Sequence, residues 1–488
     1  MNAAIPISKQ MTRLRPAGSY RPWAGKAVFG AALLLAAVGA RNYAGSWNDG
    51  SRLASVESIV DRHTLAVDDS IFVLAPAALA RDRLASPYDA PALRATGTKD
   101  KLLVGGHFYS DKPQVPSVLM AAAYWIVREV VGLEAAENPR RFCYLMTLLS
   151  AGVGYAIAVW SVFAISRAVG HADLPAMVLA ASLALGTVAL PYSRHVNSHV
   201  MLLAVAGLIF LNLEKIARCI SAVRGRSFLI GSLAGLAYAI DPGAGMVLAI
   251  FACIAVAIMN RKAASLAPVL VAASPWIAAH HALNYSIGHT IAPANTVVAY
   301  LSWLGSGFDA SNITGTLPNR SAWRTAVYSL ALLFGKRGFV GHNLPLFMAI
   351  PATVVVLADR KRLGQLERWV ILCAASVCIA TWAMYSLLST NYSGLSCSIR
   401  WFVLMLAPAY LALAVFLRER PQYWNPFLAL SFWGAVLASM MWWQGPWNQH
   451  LVHGYWLVQA CALITAGVQV FWLRESRSAW EDPRERDS

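Results

Sequence analysis

VPSVLMAAAYWIVREVVGL, residues 115–133, decides how this chain is threaded. The stretch is apolar enough to cross a membrane, yet Arg128 and Glu129 sit well inside it. If it crossed, EKIARCISAVRGR (214–226) and NRK (260–262) would both face outward. If it lies along the surface, every later basic cluster falls inside: Arg167, 215–226, Arg261–Lys262, DRKR at 359–362 and RER at 418–420. Basic residues concentrate in inner loops. An ionisable group at the centre of a spanning helix costs about 2.5–3.5 kcal/mol. The segment is therefore expected to be a juxtamembrane helix.

The rest of the chain is read outward from that choice. Hydrophobic residues make up 58% and charged residues 13% of its 488 positions. That is too little charge to cover a soluble protein of this length. The net charge of +16 is spread in short clusters between apolar runs, as membrane topology requires, so no nucleic-acid partner is expected. The seven cysteines show no CxxC pair or metal spacing, and no disulfide framework is implied. The basic N-terminus leads into an apolar run without a small-residue cleavage site, which is kept as a span.

The expected fold class is an all-α polytopic membrane protein, a bundle of about twelve transmembrane helices with a large first outer loop carrying juxtamembrane helices. The spans fall near 27–43, 142–165, 174–191, 198–214, 227–240, 243–259, 264–282, 342–358, 366–388, 401–417, 427–443 and 454–473. A basic cytoplasmic tail covers 1–26, the membrane domain 27–473, and a second cytoplasmic tail 474–488. Outer loops run over about 44–141 and 283–341.

This threading collects polar groups on one face. The first loop supplies Asp49, Arg52, Glu57, Asp61, His107, Asp111 and Lys112. YSRHVNSH (192–199) supplies Asn197 and His199, IDPGAG (240–245) supplies Asp241, and NYSGLSCSIRW (391–401) supplies Arg400. His195 and His199 stand at i, i+4, a zinc-compatible spacing, but the glutamate of an HExxH helix is missing. Sequons at Asn284, Asn312, Asn319 and Asn391 fall in outer loops on this threading.

The order of these features carries more than any one residue. A short tail and one span come first, then an acid, and then a long loop that closes with HFYSDKPQVPSVLMAAAYW (107–125). This resembles the GT-C membrane glycosyltransferases, in particular the protein O-mannosyltransferase and aminoarabinose transferase branch. That branch has an acidic motif after the first helix and an acid-Lys-Pro-Pro motif before a juxtamembrane helix. Here the first motif reads Asn48-Asp49, so Asp49 is its only acid. The second reads Asp111-Lys112-Pro113-Gln114, without the second proline. KRGFVGHNLPLF (336–347) and YSGLSCSIRWFVLMLAPAYL (392–411) are similar to later segments of bacterial members.

The resemblance implies a hexosyl- or pentosyltransferase that takes a sugar from a polyprenyl-phosphate carrier. The sugar goes to a hydroxyl on a lipid, glycan or protein, with inversion, in the building of cell-envelope glycans. A carboxylate must take the acceptor's proton, and Asp49 is the expected base. Cations must meet the charge growing on the leaving phosphate. Lys112 and Arg400 are expected there first, then Arg52 and His199, with Asp111, Glu57, His107, Asn197 and Asp241 in support. No cofactor is fixed, and a divalent metal near Asp111 and His199 stays open. The composition suggests a bacterial inner membrane with the site on the periplasmic face. The rival reading is a lipid or sugar transporter or flippase, for which Asp241 at a broken helix pair would be an ion site.

Overall fold

The computed structural model describes residues 21–73, 87–218, 223–260, 266–308, 315, 317–359 and 363–478. Most of the basic N-terminal tail, Arg261–Lys262, the sequon at Asn312 and the tail beyond 478 lie outside the described residues. The chain is built almost wholly of helices. Helix α1 covers Pro22–Gly39, α2 Trp47–Asp61 and α3 Pro91–Thr96. A hairpin of β1 (Lys101–Val104) and β2 (His107–Ser110) leads into α4, Gln114–Val131. Helix α5 (Pro139–Thr147) runs through a π-helical turn at Leu148–Gly152 into α6, Val153–Val169. Then come α7 (Asp173–Gly186), α8 (Ala189–Tyr192), α9 (Ser198–Ala217), α10 (Val223–Ile240), α11 (Ala244–Asn260) and α12 (Leu266–Gly288). The last are α13 (Val298–Leu301), α14 (Ala322–Phe334), α15 (Leu346–Ala358), α16 (Gln365–Leu388), α17 (Leu406–Glu419), α18 (Trp424–Gln444) and α19 (Tyr455–Ser478).

Seven of these helical stretches are long and apolar enough to cross a membrane: Pro139–Val169, Ser198–Ala217, Leu266–Gly288, Gln365–Leu388, Arg400–Glu419, Pro421–Gln444 and Tyr455–Leu473. The chain is a multi-pass, all-α membrane protein. Each of the twelve expected spans falls on helix, the shorter ones on α1, α7 with α8, α10, α11 and α15. Helix α12 runs on to Gly288 and takes Asn284 with it, so that sequon is a buried position of a helix and not in a loop.

Residues 115–133 form α4, which is not among the seven. One face buries Val115, Met120, Ala121 and Tyr124, while Trp125, Ile126, Val130 and Val131 are exposed. Its charge is tied down against α2, with Arg128 Nε 3.5 Å from Asp61 and Arg128 Nη1 donating to Val60 O at 3.2 Å. Helices α2 and α4 share a small core of their own, with Leu53, Val56, Phe72, Tyr88, Tyr124 and Phe142. The first loop is thus a folded layer at one end of the bundle.

The opposite end is laced by ion pairs. Arg218 bridges Glu214 and Glu367, Arg418 reaches Glu367 at 3.4 Å, Arg420 reaches Asp359 at 3.1 Å and Arg167 reaches Asp173 at 3.0 Å. Arg167, Arg218, Arg418 and Arg420, from four of the clusters expected on one side, are held in these ion pairs.

Candidate active site

Helix α2 begins with a reciprocal cap. Ser46 Oγ accepts from the Asn48 N–H at 3.2 Å, and Asp49 Oδ1 accepts from Ser46 N at 2.7 Å and Ser46 Oγ at 2.5 Å. Asp49 Oδ2 accepts from Gly45 N at 2.7 Å and lies 3.2 Å from His195 Nδ1. The carboxylate is 1% exposed. Both oxygens accept hydrogen bonds from the α2 cap. Such a side chain satisfies orphan helix N–H groups and orients a histidine. Gly50 allows Tyr88 to pack on the helix, since a Cβ there would meet the Tyr88 hydroxyl at 2.0 Å.

The next positions of α2 face a different group of residues. Ser51 Oγ contacts Ser110 Oγ at 2.6 Å and Asp111 Oδ1 at 3.4 Å, and donates to Asp100 O at 2.5 Å. The β1–β2 register explains why these residues meet. Lys101 pairs with Ser110 at the open end of the hairpin, so Asp100 and Asp111 emerge side by side. Lys112 Nζ sits 2.7 Å from Asp100 Oδ2 and 2.7 Å from Asp111 Oδ2. Burial pushes the Asp111 carboxyl above its ordinary value, with Lys112 pulling the other way.

Arg52 is 3% exposed. One terminal nitrogen donates to Ser198 Oγ at 2.9 Å, at the start of α9. Its Nε and Nη1 are buried and have no hydrogen-bond partner among the described residues. Burial draws the guanidinium down to about 10, Asp111 opposes that shift, and Arg400 adds to it. Arg400 Nε is likewise buried without a partner among the described residues, and its guanidinium lies 5.7 Å from the Trp447 ring centre. His199 feels the charges of Arg400, Arg52 and Lys112. Asp241 feels Arg52 and Arg400, while its Oδ1 accepts from Gly243 N at 2.9 Å and Ala244 N at 3.2 Å. Arg52, Lys112, Arg400, His199, Asp111 and Asp241 thus lie within reach of one another's charge, Arg52 and His199 buried and the others half-buried.

Three expected members stand elsewhere. Glu57 pairs with Arg62 at 3.0 Å and accepts from Ser70 Oγ at 2.5 Å. His107 is on the exposed hairpin, 3.2 Å from Asp68. Asn197 caps α9, accepting from Val200 N at 3.0 Å and donating to Tyr192 O and His195 O. That cap also separates the two histidines: α9 starts at Ser198, so His195 precedes it and turns to Asp49, while His199 turns to Tyr192. No group of three or more His, Cys, Asp or Glu able to hold a metal ion occurs among the described residues. Sequence reasoning missed Asp100, Ser110 and Ser198; the only signal for Asp100 was its place opposite Asp111 across a hairpin.

An apolar groove of about 240 Å³ is lined among others by Leu119, Met120, Leu149, Met201, Leu236 and Ile240. Its walls continue from the elements that carry the charges. Helix α4 follows Lys112, Met201 follows His199 by two positions, and Ile240 directly precedes Asp241. The elements that carry the charged side chains thus also supply walls of an apolar groove, and a groove of this kind suits a hydrocarbon tail.

No protein-family model matches this chain, and neither does any curated protein. In structure it is similar to ArnT from Cupriavidus metallidurans, solved with undecaprenyl phosphate bound, at 13% identity over 92% of this chain and 75% of that one, with a TM-score of 0.47. It is also similar to the arabinosyltransferase EmbB from Mycobacterium smegmatis, at 16% identity over 96% of this chain and 40% of that one, with a TM-score of 0.47. A third is the oligosaccharyltransferase from Archaeoglobus fulgidus, at 12% identity over 92% of this chain and 56% of that one, with a TM-score of 0.43.

Proposed function

We propose that this protein is an integral-membrane glycosyltransferase of the GT-C kind. It moves a sugar from a polyprenyl-phosphate carrier to a hydroxyl on a lipid, glycan or protein at the outer face of the membrane, in a bacterium the periplasmic face of the inner membrane. The observation that supports this reading is that α4, α9 and α10, whose ends lie close in the chain to Lys112, His199 and Asp241, also wall an apolar groove. The cluster suits the phosphate and the groove suits the isoprenoid tail, with α4 lying along the outer surface.

The acceptor oxygen attacks the anomeric carbon while the bond from that carbon to the phosphate oxygen breaks, with inversion. The electron pair leaves on the phosphate. Arg52 and Arg400 hold N–H groups ready for it, and Lys112 adds a point charge. Asp111 takes the acceptor's proton, in place of Asp49. It stands beside Lys112 in the cluster with the cations, whereas Asp49 accepts from the backbone of the α2 cap and faces His195. Against the transporter reading, Asp241 Oδ1 already accepts from the backbone N–H groups of Gly243 and Ala244.

The test is release of free polyprenyl phosphate from a panel of polyprenyl-phosphate sugars by purified protein in nanodiscs supplied with membrane extract. Release by the wild type and none by folded Asp111→Asn supports the reading. Carrier-dependent uptake of sugar into liposomes without release overturns it. Release lost in folded Asp49→Asn but kept in Asp111→Asn returns the base to Asp49.

A further inference from the structure

Two buried amides beside the cluster have no part in the chemistry just described. Asn48 stands four residues before Arg52, on the same face of α2. It is 6% exposed, and its Oδ1 has no hydrogen-bond partner among the described residues. Gln114 opens α4 and is 3% exposed. Its Nε2 donates to Ser110 O at 3.3 Å and Lys112 O at 3.0 Å, which fixes the direction of the amide. Its Oε1 is left buried, without a donor among the described residues. Gln114 is tied to the helix that carries Asn48 through Ser110, which Ser51 of α2 touches at 2.6 Å.

The chemistry of the unmet groups separates into two kinds. Arg52 and Arg400 offer N–H groups that need acceptors, and a phosphate supplies those. Asn48 and Gln114 offer carbonyl oxygens that need donors, and an ionised phosphate diester has none. A polyol presents donors in this neighbourhood, and buried acceptors are costly to leave unmet. These are also the two positions at which the chain departs from the paired-acid and Lys-Pro-Pro motifs. We propose that Asn48 Oδ1 and Gln114 Oε1 accept hydrogen bonds from hydroxyl groups of the sugar on the lipid phosphate and so select which sugar is transferred. This rests on the lipid-phosphate reading of the cluster.

The experiment compares wild type, Asn48→Leu and Gln114→Met, each full-length in nanodiscs. Dissociation constants are measured for bare polyprenyl phosphate and for polyprenyl phosphates carrying hexoses, pentoses or amino sugars. The expected result is that the wild type prefers at least one sugar-loaded carrier over the bare one by about tenfold or more. The variants should hold the bare carrier within about twofold of wild type and lose that preference. Asn48→Leu touches none of the bonds that hold Lys112, so it decides the matter if Gln114→Met also weakens the bare carrier. A preference that survives in Asn48→Leu, or a wild type that prefers no sugar, overturns the proposal while the phosphate reading stands. A wild type that does not bind bare polyprenyl phosphate overturns both.

Discussion

The guanidinium of Arg52 reaches from α2 to Ser198 Oγ at 2.9 Å, with 146 positions between the two residues. A single bond spends one of its donors and leaves two nitrogens for an anion. Arg52→Ala should weaken binding of polyprenyl phosphate by about 10–100-fold, the range for losing charge-assisted hydrogen bonds. Arg52→Lys should recover only part of this, because the fork is lost. Lipid binding in nanodiscs measures both, and Ser198→Ala should have a smaller effect than either.

Asp49 and Asp111 should separate cleanly on mutation. Ser46→Ala or Asp49→Asn removes half of the reciprocal cap and should lower stability by about 1–2 kcal/mol, seen as a reduced thermal midpoint, while the folded fraction keeps its turnover. Asp111→Asn should abolish turnover with little change in the midpoint.

The buried Asp111 carboxyl also sets a pH dependence. Its folded value is raised, so the ionised form appears only at higher pH than for a free aspartate near 3.8. As a base it works only when ionised, so turnover should rise with pH through that raised value. The linkage to stability has the opposite sign. The folded state holds this proton more tightly than the unfolded chain, so the contribution of the site to stability falls as pH rises through the same window. A pH–rate profile with an acid limb near that of free aspartate would count against Asp111 as the base.

Filling the groove should act on the tail and spare the head. Ala123 of α4 lines it. Ala123→Trp should weaken a long-chain polyprenyl phosphate by about tenfold or more, since each buried methylene contributes about 0.8 kcal/mol. A water-soluble short-chain analogue should bind as before. Equal losses for both would mean that the tail runs elsewhere.

Gly50→Ala tests the packing beneath the site. A methyl group there meets Tyr88 at 2.0 Å from its hydroxyl, and Tyr88 is 1% exposed. The substitution should cost about 1–3 kcal/mol in thermal unfolding, with turnover falling as α2 shifts.

The helices could be read from the sequence because apolar runs need no partner to be recognised. For residues 115–133 parity and Arg128 argue for a surface helix, and the structure pairs Arg128 with Asp61 of α2. The face of α2 could not. Adjacent residues on a helix point about 100° apart, so Asn48 and Asp49 face different neighbours, and only the cap shows which faces the cluster. Asp100 was hidden for a related reason, since its meeting with Lys112 depends on a hairpin register. The i, i+4 histidines misled because a spacing has its helical meaning only inside a helix, and α9 begins between them.

The bonds from α2 to the start of α9 have a consequence for how the protein is made. Asp49 leans on His195 and Arg52 on Ser198, both of which follow α7 and α8 in the chain. A ribosome delivers α2 long before those partners exist. The polar side of α2 therefore has to wait, hydrated, until the start of α9 arrives, because contacts of such separation close late. The surroundings of Arg52 are then completed only after α8 has been made, and a chain truncated before Ser198 would hold α2 and α4 without them.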